Sequence, residues 1–152
     1  MSAPRFWYRA CFGLVSLKYI LVVDDNPSSR ELVKFTLEPG YEVAEATDGR
    51  DAIDQIRQRL PDLILLDVQM PEMDGYETLH EIRANPESAL VPVVAVTAFA
   101  MLEDRQKAFE AGFDGYTAKP INIAALRTQI DSLLNRSANE QHERTASNIG
   151  RD

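Results

Sequence analysis

The chain has one cysteine in 152 residues, so no disulfide can form within it, and Cys11 reads as a small apolar residue. Only two histidines are present and no Cys/His cluster has zinc spacing, which excludes a structural zinc site of the usual kind. Both shortages fit a reducing cytoplasm. Long apolar runs are missing too, since none reaches the roughly 18 residues that a membrane-spanning helix needs. The opening MSAPRFWYRACFGLVSLKY places basic residues before a short mixed apolar stretch, but it lacks the small-residue cleavage site of a signal peptide and runs directly into a strand pattern. Positive charge is in deficit: 16 basic against 24 acidic residues give a net charge of −8. Residues 19–134 hold 10 of the basic and 21 of the acidic residues, and such a surface argues against direct binding of a nucleic-acid backbone.

What is present is enough apolar material, 45% of the residues, for one domain with its own core. Three parts are expected: an N-terminal extension over 1–18, a folded domain over 19–134, and a polar, charge-balanced tail over 135–152 that should be mobile. Within the domain two periods alternate. Apolar runs at 19–23, 41–46, 62–66, 91–96 and 115–118 read as strands, and a helical pattern follows each. Asn26 and Pro27 look like the cap and first residue of the first helix, with Leu32, Val33 and Leu37 inward. Ala52, Ile53, Ile56 and Leu60 form the second stripe, Leu79 and Ile82 the third, and Leu102, Ala108 and Phe109 the fourth, before Gly112 as terminator. Ile123, Leu126, Ile130, Leu133 and Leu134 form the fifth. Five such units imply an α/β fold, a mainly parallel sheet with helices on both faces.

The strands end in a telling set of residues. The first ends in Asp24 and Asp25, the third in Asp67, the fourth in Thr97 and the fifth in Lys119-Pro120, while Thr47-Asp48 after the second is unremarkable. In an open parallel sheet these ends share the edge where ligands bind. Three carboxylates brought together repel unless a cation joins them or some are protonated. Oxygen ligands without histidine or cysteine point to Mg²⁺, and a lysine and a hydroxyl could hold the remaining oxygens of a phosphoryl group. Asp67, delivered by the apolar run LILL, is then a candidate acceptor for phosphoryl transfer.

ILVVDDN, DLILLDVQMPEMDG, VVAVTAF and GYTAKPI also resemble, in order and spacing, the signatures of the receiver domains of two-component response regulators. The resemblance spans about residues 19–134. It implies a doubly wound, flavodoxin-like sheet of five parallel strands in the order 2-1-3-4-5 with five helices. It also implies that Asp67 is the phosphoacceptor, that Asp25, Asp67 and the main-chain carbonyl of Gln69 bind Mg²⁺, and that Asp24 acts mainly through a metal-bound water. Thr97 and Lys119 would hold the phosphoryl group, and the Lys119–Pro120 bond would be cis.

From these readings the chain is expected to take a phosphoryl group from a phosphohistidine of a histidine kinase or phosphotransfer protein, to switch, and to lose the group to water. It would be a bacterial signalling phosphoacceptor, catalysing only its own modification. Gln69 and Phe99 are expected to flank the path of the hydrolytic water and tune the signal's lifetime. Tyr116, three positions before Lys119 where the family carries its switch aromatic, is expected to turn inward as Thr97 follows the phosphoryl oxygens. A downstream protein would dock near Tyr116 and the last helix. Only 18 residues follow Leu134, too few and too polar for an output domain, so a single-domain regulator is expected, although a receiver cut from a larger hybrid kinase or multidomain regulator would read the same way.

Other assignments compete less well. A turn between Pro71 and Gly75 could bring main-chain N–H groups towards the phosphate, or be only a turn. His80 and His142 read as solvated. A flavodoxin-like cofactor module would want a Ser/Thr/Gly-rich loop where this chain has DDNPSSRE. An aspartate-based phosphohydrolase would carry a second aspartate where Gln69 stands.

Overall fold

The computed structural model describes residues 17–98 and 101–149, and side chains as far as residue 137. The expected N-terminal extension therefore lies almost wholly outside the described residues, as do Cys11 and the side chain of His142. Strands and helices alternate: β1 (Tyr19–Val23), α1 (Pro27–Leu37), β2 (Glu42–Ala46), α2 (Gly49–Gln58), β3 (Leu63–Asp67), α3 (Gly75–Ala84), β4 (Val93–Thr97), α4 (Leu102–Ala111), β5 (Gly115–Ala118) and α5 (Ile123–Ile149). All strand pairs are parallel and the sheet order is β2-β1-β3-β4-β5, as the resemblance implied.

The continuous apolar runs follow from this arrangement. Alternate residues of a strand point to opposite faces, and both faces are covered. Ile20, Val22, Leu63 and Leu65 pack with Val33 and Leu37 of α1 and with Leu126 and Ile130 of α5. Leu21, Val23, Ile64 and Leu66 pack on the other side with Ala52, Ile56, Leu79, Ile82 and Ala108 from α2, α3 and α4. Burial of each such Leu, Ile or Val side chain contributes about 1.5–3 kcal/mol, so β1 and β3 are the rigid centre of the molecule.

Local signals set the helix ends. Asn26 Oδ1 accepts from the N–H of Ser28 at 2.9 Å, with Pro27 as first helical residue. Asp48 caps α2 through the Asp51 N–H at 2.8 Å, and Asp74 caps α3 through Glu77 at 2.9 Å. Gly112 ends α4 with φ 112°, in the left-handed region that glycine enters without steric cost.

Four expected core positions are exposed: Leu32, Leu60, Leu102 and Phe109. Leu32 and Phe109 adjoin Val33 and Ala108, which take the inward positions, and one residue along a helix turns a side chain about 100° away. Leu60 lies beyond the end of α2, and Leu102 opens α4 at its solvent end. Ile53 and Ile123 are half-buried. The last helix, α5, runs on to Ile149, through most of the segment read as a polar tail. No proline or glycine interrupts the sequence between Ile123 and Ile149, and a helix nucleated on the core extends at little cost per residue.

Candidate functional site

Parallel register brings the strand ends together. Val23 of β1 pairs with Leu66 of β3, Asp67 with Val96 of β4, and Thr97 with Ala118 of β5. Asp24 therefore emerges beside Asp67, with Thr97 and Lys119 on the next strands. The peptide between Lys119 and Pro120 is cis, as the resemblance implied.

Asp24, Asp67 and Thr97 are buried, whereas Asp25 is exposed. Lys119 Nζ reaches Asp24 Oδ2 at 3.0 Å and Asp67 Oδ2 at 3.4 Å. Asp24 Oδ1 accepts from the Asn26 N–H at 2.9 Å, and Asp67 Oδ1 from the Gln69 N–H at 3.0 Å. Each of Asp24, Asp25 and Asp67 offers an oxygen within 4.8 Å of the other two.

Electrostatics mark Asp67 as the frustrated member. Burial pushes its pKa up to about 6; the Gln69 N–H opposes that shift, the neighbouring Asp24 charge adds to it, and Lys119 opposes it again. For Lys119, burial works against the charged form, but the hydrogen bond to Asp24 and the attraction of both carboxylates outweigh it and raise its pKa. One ammonium facing three carboxylates leaves an excess of negative charge. The donors are all hard oxygens at short mutual range, a set that fits Mg²⁺ and lacks the nitrogen or sulfur ligands favoured by softer metals.

The remaining expected residues are distributed as follows. The Gln69 side chain is exposed beside Asp67, and Tyr116 is half-buried on β5. Phe99 lies outside the described residues. Of the two readings of the loop after Asp67, its hydrogen bonds favour the plain turn: the Met73 N–H bonds to the Pro71 carbonyl at 2.8 Å and the Gly75 N–H to the Val68 carbonyl at 3.0 Å. These two donors serve the turn itself. His80 is exposed, as read.

Two features escaped the sequence. Arg30, on α1, folds back so that Nη1 donates to the Asp24 main-chain carbonyl at 2.6 Å. Its position six residues after Asp24 carried no recognisable signal. Gly75 was read as a turn residue, yet its role is contact: a Cβ there would sit 2.7 Å from the Asp67 carbonyl oxygen and 2.7 Å from Val68 Cα.

Residues 20–131 match the family model described as response regulator receiver domain. The polar-differentiation response regulator DivK of Brucella anthropi is 36% identical over 118 residues, covering 77% of this chain and 96% of that one. The probable transcriptional regulator ycf27 of Cyanophora paradoxa is 37% identical over 135 residues, and there the match spans 88% of this chain but 55% of the relative. Among solved structures, the receiver domain of the sensor histidine kinase PA1611 from Pseudomonas aeruginosa, with a magnesium ion coordinated in its active site cleft, superposes with a TM-score of 0.73 at 34% identity, covering 79% of this chain and 99% of that one. No helix among the described residues is long and apolar enough to cross a membrane.

Proposed function

The chain belongs to the response regulator receiver family, and from that premise we propose that it is a phosphorylation-dependent signalling protein whose acceptor is Asp67. The observation that supports this reading most is the meeting of Asp67 with Asp24, Asp25 and Lys119, residues from three strand ends, at one edge of the sheet.

Asp25, Asp67 and the Gln69 carbonyl would hold Mg²⁺. Asp24 would act mainly through a water, in keeping with the hydrogen bonds that both of its carboxylate oxygens already accept. When bound, Mg²⁺ supplies charge neutralisation for phosphoryl oxygens. Asp67 is buried at the end of a rigid strand, which fixes its carboxylate for in-line attack. One carboxylate oxygen bonds to phosphorus as the P–N bond of the donor phosphohistidine breaks, and the electron pair returns to the imidazole nitrogen. Lys119 offsets charge on the transferring group, and the Thr97 hydroxyl donates to one of its oxygens. Water then attacks phosphorus, the bond to Asp67 breaks, and phosphate leaves with the carboxylate restored. Gln69 and Phe99 tune the rate of that step.

Movement of Thr97 towards the phosphoryl group opens room for Tyr116, whose inward rotation changes the surface of β5 and α5 where a downstream protein docks. The phosphoryl donor is a histidine kinase or phosphotransfer protein, and the chain acts on no separate substrate. Incubation with acetyl phosphate followed by intact-mass measurement tests the reading. A phosphoryl adduct that forms with Mg²⁺ and disappears with EDTA is expected; an adduct that forms equally without the metal would contradict it.

A further inference from the structure

We infer that Arg30 is a positioning residue for the Asp24–Asp25 pair, and through it for Mg²⁺ binding; this rests on the metal-dependent reading of the site given above. Asp24 and Asp67 are pinned through their carboxylates, by Asn26, Lys119 and Gln69. The Asp25 carboxylate is exposed and makes no hydrogen bond of its own among the described residues. Its direction is therefore set by its main chain, and the Asp24 carbonyl that Arg30 holds belongs to the peptide unit joining the two aspartates.

The guanidinium is built into this place. The Arg30 side chain is only 13% exposed, and Nε lies 3.5 Å from Glu45 Oε1 on β2. That Nε is buried without a hydrogen-bond partner, while Nη1 makes a short bond to Asp24. Leaving one buried N–H unsatisfied is unfavourable, and ordering a long side chain adds to the cost. The contact with Asp24 is thus the one that fixes the side chain, and the Glu45 ion pair is secondary. Lys34, at 3.8 Å from Glu45 Oε2, shares that partner.

A positive charge beside a cation site would by itself weaken Mg²⁺ binding, so positioning and simple electrostatics predict opposite signs. Residues that orient metal ligands typically cost 10–100-fold in affinity when replaced. The test is calorimetric titration of the metal-stripped full chain with Mg²⁺ alone, together with melting in EDTA. Arg30→Met, which keeps the stem and loses the donors, is expected to weaken binding about 10-fold, and Arg30→Lys to recover most of the loss. Glu45→Gln, which leaves the Nη1 bond in place, should bind Mg²⁺ as wild type does. Unchanged or tighter binding by Arg30→Met would overturn the inference, whatever its melting temperature. So would an equal loss in Glu45→Gln, which would place the effect in the tie between helix and strand. Wild-type protein that binds no Mg²⁺ would overturn the functional reading itself and this inference with it.

Discussion

Lys119 Nζ stands 3.4 Å from Asp67 Oδ2, although 52 residues separate the two along the chain. The ammonium is one of the influences that keep the Asp67 pKa from climbing further above its value of about 6, while Asp24 pushes in the other direction. Lys119→Met should therefore raise the Asp67 pKa, and Asp24→Asn should lower it. Carboxyl carbon NMR titrations in EDTA check both shifts. Movement of the two variants in the same direction would contradict the electrostatic account.

The raised pKa also fixes the sign of a stability effect. Between about pH 4 and pH 6 the folded chain holds a proton on Asp67 that the unfolded chain releases, so in the absence of metal this group lowers stability as pH rises through that window. The penalty is complete above about pH 6 and absent below about pH 4. In EDTA, Asp67→Asn should melt higher than wild type at pH 7.5, and the difference should shrink towards pH 4. With Asp67 as a Mg²⁺ ligand, as proposed, protons and the metal would compete for one carboxylate, and the apparent Mg²⁺ affinity should fall by up to roughly tenfold per unit below about pH 6.

Gly75 packs against the backbone of Asp67, the proposed acceptor. A methyl group there would meet main-chain atoms of Asp67 and Val68 at 2.7 Å, closer than any side chain on those residues could relieve by rotation. Gly75→Ala should cost about 1–3 kcal/mol in denaturant unfolding and slow acetyl phosphate labelling as well, because the backbone that must shift carries the proposed acceptor, Asp67.

Arg83 offers the contrasting case, a structural cation far from the chemistry. Its guanidinium donates to the Ala89 and Val91 carbonyls at 3.1 and 2.6 Å, to the Gly112 carbonyl at 3.0 Å and to Asp114 Oδ2 at 2.7 Å. These contacts join α3 to the loop before β4 and to the end of α4. Arg83→Ala should lose about 2 kcal/mol of stability, with labelling of the folded protein unchanged.

Strand number, helix number and the chemistry of the sheet edge were legible because they depend on local patterns: continuous apolar runs, capping residues such as Asn26, and polar residues placed just after each run. The strand order came from family resemblance, since periodicity alone does not say which strands are neighbours. Leu32 and Phe109 were misread because an apolar residue one step from the true inward position looks the same in sequence, and only packing decides which is buried. Residues 135–149 read as tail because they are polar, but helicity there needs only an existing nucleus and the absence of breakers. Arg30 and the Gly75 contact were invisible for another reason: both act on main-chain atoms of Asp24 and Asp67, and no pattern of residue types encodes which carbonyl a side chain will find.

The central claim is that the phosphoryl group is carried by Asp67. Borohydride reduction of the acetyl phosphate-treated protein converts a phosphorylated aspartate to homoserine, which peptide mass spectrometry then locates. Homoserine at position 67, formed with Mg²⁺ and absent with EDTA, is the predicted result. Homoserine at position 24 or 25, or at no position in protein that has taken up the group, would contradict the account.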